Sequence, residues 1–139
     1  MSPRSTVASA PPIKGMWHIA LRVRDLDAMR AFYVDLLGYE VEWQPDPDNL
    51  YLSCGRDNLA LHRDPEAPEP GGSRGPLDHF GFILFCPEDV DLWAARVEGA
   101  GHSLEKAPRT HRDGARSFYV RDPEGNLVQF IWHPPLDPV

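Results

Sequence analysis

Arg116-Ser117-Phe118-Tyr119-Val120-Arg121-Asp122-Pro123-Glu124-Gly125-Asn126-Leu127-Val128-Gln129-Phe130-Ile131-Trp132 reads as strand, tight turn, strand. Two runs rich in β-branched and aromatic residues flank a cluster of Asp, Pro, Gly and Asn, which supplies fixed φ and positive φ where a reversal needs them. Gln129 breaks the pattern. It is the only polar side chain between Leu127 and Ile131, and strand alternation places it on their face. A lone polar group there either marks a site or meets a partner in the core.

Working back from the hairpin, Ala107 to Ala115 reads as a loop and His102 to Lys106 as a strand. Val90, Trp93, Ala94 and Val97 recur at helical spacing behind Pro87, Glu88 and Asp89, which suit a helix start, and Gly99 and Gly101 end the helix. Trp93 belongs to its core stripe. Asp78 to Phe85 is a strand with His79, Gly81, Ile83 and Phe85 on one face. Asp64 to Pro76 is crowded with Pro and Gly and reads as a linker without regular structure.

The same order precedes the linker. In the strand Trp17 to Arg24, His18, Ala20 and Arg22 share one face, and Trp17, Ile19, Leu21 and Val23 the other. Asp25 is an N-cap, Leu26, Met29, Tyr33, Leu36 and Leu37 mark a helix, and Gly38 closes it. Tyr39 to Trp43, Leu50 to Cys54 and Leu59 to Arg63 are strands, with Gln44 to Asn49 a loop and Gly55 to Asn58 a turn. Each half therefore runs strand, helix, strand, hairpin, and each first strand carries a His followed two residues later by Ala20 or Gly81. This internal repeat predicts an α+β fold of two modules, each a sheet with a helix on its outer face, leaving the other face to curve over something. The modules span 13–63 and 77–133 of one domain, 13–133, joined by the linker 64–76; 1–12 and 134–139 are tails.

Composition narrows the function. A net charge of −7 opposes both nucleic acid, which needs a clustered basic surface, and anionic membranes. No apolar run approaches the roughly 20 residues of a membrane span. Residues 1–12 lack the apolar segment of a secretory signal. Cys54 and Cys86, each in a strand-like run, read as reduced thiols of a cytoplasmic protein.

His18-Ile19-Ala20-Leu21-Arg22-Val23-Arg24-Asp25-Leu26 leading into Phe32-Tyr33 and Leu36-Leu37-Gly38, then Asp78-His79-Phe80-Gly81-Phe82, then Phe118 to Leu127, resemble the vicinal oxygen chelate superfamily. That superfamily includes glyoxalase I, extradiol dioxygenases, fosfomycin-resistance thiol transferases and bleomycin-resistance proteins. The resemblance implies two βαβββ modules forming an open, cup-shaped mixed sheet. It also implies a divalent metal (Fe, Mn, Ni, Zn or Co) held by the first and last strands of each module. His18 and His79 match the two first-strand ligands. Gln129 falls where the family's last-strand carboxylate stands, and the matching position of the first module is Leu61 or His62, which makes His62 a candidate fourth ligand. Tyr119 matches a position that faces ligand, and Trp43 and Trp132 would supply apolar walls around a small, mostly apolar or aromatic substrate with an oxygen pair to chelate. A homodimer follows from the same resemblance.

The departure at Gln129 bears on chemistry. An amide oxygen can coordinate a metal but cannot act as a base, so a glyoxalase-type proton shuttle lacks its carboxylate. The two-His-one-carboxylate pattern of extradiol dioxygenases is broken as well. The leading expectation is a metal-dependent lyase, isomerase or dioxygenase. The alternative is a metal-free protein that sequesters a small aromatic or cationic compound, as bleomycin-resistance proteins do. Of the other histidines, His111 reads as a loop residue able to close over substrate, His102 as solvated and His133 as a tail residue without a role.

Overall fold

The structure, a computed structural model, describes residues 9–72 and 75–134. The tails predicted at 1–12 and 134–139 therefore fall mostly outside the described residues, as do residues 73 and 74 of the linker. The first half comprises β1 (His18–Val23), α1 (Leu26–Arg30) continuing as a π-helical turn (Ala31–Leu36), β2 (Glu40–Asp46), β3 (Asn49–Ser53) and β4 (Asn58–Arg63). The second comprises β5 (Phe80–Ile83), α2 (Pro87–Gly99), β6 (Leu104–Thr110), β7 (Arg116–Arg121) and β8 (Leu127–Trp132). The strands form two four-stranded sheets of matching order, β1-β4-β3-β2 and β5-β8-β7-β6. In each, the first and last strands pair in parallel and the rest antiparallel, so the sheets are mixed and open.

Two expected loops are in fact strands. Gln44, Pro45 and Asp46 extend β2, and Ala107 to Thr110, with Pro108, extend β6. Both lie at sheet edges, where a residue without an N–H costs no ladder bond, and both pairings shift register along their length. Proline read as a loop signal was an edge signal.

Strand alternation decides what each face does. Leu21, Val23, Leu50, Leu52, Leu59 and Leu61 of the first sheet face the helices, as do Phe118, Val120, Val128 and Phe130 of the second. With Met29, Phe32 and Tyr33, and Val90, Ala94 and Val97, they make one apolar core spanning both modules. Asp25 caps α1, its Oδ1 accepting from Ala28 N at 3.0 Å, and Gly38 closes the helical run at φ +86°.

The Asp122–Asn126 turn fastens the modules together. Glu124 is 1% exposed, and its two carboxylate oxygens accept the backbone N–H groups of Arg24 and Asp25 at 2.8 and 2.9 Å, directly after β1. The buried Tyr33 hydroxyl donates to Asp122 Oδ2 at 2.8 Å. Burial pushes the Asp122 carboxyl above the usual range, outweighing the donors from Asn126, Tyr33 and the Glu124 backbone.

Candidate functional site

The open face of the first sheet carries three cross-strand rows. His18 pairs with Asn58 at one end, Ala20 with Ala60 in the middle, and Arg22 with His62 at the other end. Tyr51 continues the middle row and Asn49 the last. On the second sheet Gly81 pairs with Gln129, which pairs with Tyr119, and His79 stands just before β5. The His79 ring meets the Tyr119 ring edge-on, 5.2 Å between centroids. A Cβ on Gly81 would lie 3.0 Å from Gln129 O and 3.3 Å from Gln129 Cβ, so the missing side chain makes room for the Gln129 strand. His79, Gln129 and Tyr119 thus share one patch, with Lys106 Nζ 5.8 Å from the Tyr119 centroid.

The three imidazoles are held alike. His18 Nδ1 lies 2.7 Å from Asn58 Oδ1, and Asn58 Nδ2 donates to Glu42 Oε1 at 2.8 Å. His62 Nδ1 lies 2.6 Å from Asn49 Oδ1, and Asn49 Nδ2 donates to both Asp46 oxygens at 3.0 and 3.1 Å. Those Asn49 bonds, with that from the Asp48 backbone, hold the Asp46 carboxyl below its usual range. A carboxylate only accepts, so each asparagine nitrogen faces its acid and each asparagine oxygen faces a ring nitrogen that must donate. His79 Nδ1 lies 2.7 Å from Asp78 Oδ2, with the same consequence. In each, the hydrogen bond places the Nδ1 proton toward its partner, so a neutral ring keeps its lone pair on Nε2. This is how metal-ligating histidines are oriented by their neighbours.

The register settles which residue of the first module matches Gln129. Gln129 lies opposite the residue two after His79; the residue two after His18 is Ala20, and it lies opposite Ala60. The matching position is Ala60, not Leu61 or His62. Leu61 is fully buried on the helix side. His62 lies on the open face but four residues along from the His18 row, about 13 Å away at strand spacing. Neither matching position carries a carboxylate.

Trp43 stands on the open face as expected, 59% exposed and stacked on Tyr51 at 5.2 Å. Trp132 does not: strand alternation puts it with Val128 and Phe130 on the helix side, packed against the core. His111 is pinned, Nε2 to Ser117 Oγ at 2.9 Å, and His102 packs edge-on against Phe32 at 5.1 Å rather than being merely solvated. Asn58, Asn49 and Asp78, which orient the histidines, were missed. Both asparagines stand at strand starts, where the sequence reads as turn or loop, and only the pairing of β4 with its neighbours reveals what they face.

Residues 15–130 match the family model described as Glyoxalase/Bleomycin resistance protein/Dioxygenase superfamily, and the chain belongs to that family. It is 32% identical over 120 residues to a catechol-2,3-dioxygenase of Bacillus subtilis, covering 82% of this chain but only 40% of that enzyme. It is 35% identical over 127 residues to an uncharacterised protein of Pseudomonas aeruginosa, covering 87% of this chain and 90% of that one. Among solved structures, a lactoylglutathione lyase from Agrobacterium tumefaciens superposes with a TM-score of 0.74 at 28% identity, covering 91% of this chain and 99% of that one. No helix among the described residues is long and apolar enough to cross a membrane.

Proposed function

We propose that the chain is a metal-dependent enzyme of this family, acting on a small molecule through two adjacent oxygens at a divalent ion held by His18, His79 and Gln129. The observation that carries this reading is the matched pair His18 and His79, at equivalent positions of the two modules, each locked at Nδ1 with Nε2 offered. Two imidazole nitrogens and an amide oxygen are suitable donors in kind for Fe, Mn, Ni, Zn or Co. Bound by neutral donors, the ion would keep its double charge and serve as a Lewis acid toward chelated oxygens. Tyr119, at the edge of His79, would orient the substrate, with Trp43 as an aromatic wall. The His18 and His79 faces belong to different sheets, and pairing of two chains is the arrangement that would let each complete the other's site.

The relatives' names are those of a dioxygenase and a lyase, two chemistries open to such a substrate. Gln129 cannot take up a proton as a carboxylate would, so any proton transfer falls to the substrate's surroundings rather than to that position. The test is metal analysis of protein purified without chelators, beside His18→Ala and His79→Ala. Loss of metal in both variants is expected; unchanged content in either overturns the reading. Ala60 and Gln129, both neutral where a carboxylate belongs, favour one second reading, a metal-free module that sequesters an aromatic or cationic compound. Binding of such a compound by chelator-treated protein that never takes up metal would establish it instead.

A further inference from the structure

We infer that Arg109 and Arg112, where β6 turns into β7, form a binding subsite for a phosphate monoester, apart from the ion proposed at His18, His79 and Gln129.

With His111 and Asp113, the two arginines line a concavity of about 490 Å³. Both are exposed, and neither side chain has a hydrogen-bond, ion-pair or ring partner among the described residues. Every other described arginine has one. Asp113 does not supply the match: it makes no ion pair with either, and its Oδ1 accepts the Ala115 N–H at 2.9 Å. The backbone between the arginines is tied. The His111 N–H donates to Ala115 O at 2.7 Å, the Gly114 N–H donates to His111 O at 3.0 Å, and His111 Nε2 lies 2.9 Å from Ser117 Oγ. A loop so held spares a ligand the cost of ordering it.

The repeat shows that the fold does not impose this charge. The matching edge strand of the first module, β2, carries Glu40, Glu42 and Asp46, where β6 carries Lys106 and Arg109. Glu105, the one acid of β6, is taken by Arg121 at 2.8 Å. A cationic corner thus stands on a chain of net charge −7. Register puts it on the open face. Lys106 lies opposite Tyr119 and Arg109 opposite Ser117, the next residue of β7 on that face, and Ser117 lies opposite Ile131. The Arg109 row is therefore about 7 Å further from His79 than the Tyr119–Gln129 row. An anion there is a different part of a ligand from oxygens chelated at an ion.

Guanidinium forks match pairs of oxygens. A carboxylate has two oxygens, enough for one fork. A phosphate monoester presents three terminal oxygens and close to a double charge, enough for both.

Protein stripped of metal and then freed of chelator is titrated calorimetrically with methyl phosphate and with acetate, at equal ionic strength because salt screens exposed charges. Methyl phosphate is expected to bind at least about tenfold more tightly, the value of one further hydrogen bond between charged groups. Arg109→Gln and Arg112→Gln should each weaken methyl phosphate by about tenfold, bringing it near acetate. Arg30→Gln, which removes an exposed arginine at the end of α1, should leave it unchanged. Equal affinities in the unmodified protein, a preference that survives either Arg109→Gln or Arg112→Gln, an equal loss in Arg30→Gln, or no binding of methyl phosphate overturns the inference. The comparison in the unmodified protein needs no variant to fold. Because metal is absent throughout, failure here is distinct from failure of the metal reading, which is judged by metal content.

Discussion

Replacing Glu124 by Gln tests whether one buried carboxylate fixes how the two modules meet. Glu124 is 1% exposed, and its two oxygens accept two backbone N–H groups, those of Arg24 and Asp25. Gln preserves the shape but offers one oxygen and one NH2, which turns one of the two acceptances into donor facing donor. The loss is one bond to a charged acceptor, about 1.5–3 kcal/mol, plus the cost of a buried N–H left without a partner, about 1–3 kcal/mol. Some relaxation of the turn offsets part of this, so we expect a cost of about 2–4 kcal/mol by the same measure. That is a large share of the ~5–15 kcal/mol that holds a domain of this kind together. Urea unfolding followed by circular dichroism should show the midpoint falling with an unchanged slope, since the surface exposed on unfolding is the same. The clamped residues directly follow β1, so the variant should also retain less metal if His18 is a ligand. A stability change below about 1 kcal/mol would refute the role assigned to this clamp.

Gly81→Ala should destabilise by about 1–3 kcal/mol despite the helpful loss of backbone freedom in the unfolded chain. The new Cβ would stand 3.0 Å from the Gln129 carbonyl oxygen, and strand backbone cannot swing aside as a side-chain tip does; thermal unfolding measures it. Asn58→Ala removes the group that orients His18, and about tenfold weaker metal binding is expected in competition with a chromophoric chelator. The Asp91–Arg116 pair, two bonds at 2.6 and 3.0 Å, holds the Asp91 carboxyl below its usual range. Its contribution is thus present above the ordinary carboxylate pKa of about 3.9 and is lost as pH falls through the lower folded value. Asp91 is largely exposed, so Asp91→Asn should cost less than about 1 kcal/mol at pH 7, and the gap from the unmodified protein should close on acidification.

The module repeat was legible because alternation and helical spacing each recur with the same punctuation, down to a histidine two residues before a small one. The faces followed from the same alternation: His18 and Gln129 stand where the period of two puts them. Trp132 stands on the opposite face from Gln129, as the same alternation requires, so its ring packs against the core instead of walling the cup. What the sequence could not show was register. That Ala60, and not its neighbours, stands level with Gln129 depends on how β4 slides against β1, and no local residue encodes that offset. The asparagines that orient the imidazoles were hidden for the same reason, since each acts on a strand it touches only after the sheet has formed.

The two modules share a plan but have diverged at one row, Ala60 in the first and Gln129 in the second. At that end the first sheet offers His18, with His62 about 13 Å along the strand, while the second offers His79 and Gln129 as near neighbours. This asymmetry makes Gln129→Glu the most telling single change. It keeps the length and shape of the side chain and adds a negative charge at the position argued to face the ion. Neutral donors leave a divalent charge uncompensated, and affinity in oxygen-donor sites rises with ligand charge, so we expect at least about tenfold tighter retention of Mn or Zn. The same substitution should do nothing for metal in a protein that only sequesters an aromatic compound, because Gln129 would then face no ion. If Gln129→Glu folds normally and gains no metal affinity, Gln129 does not belong to an ion site.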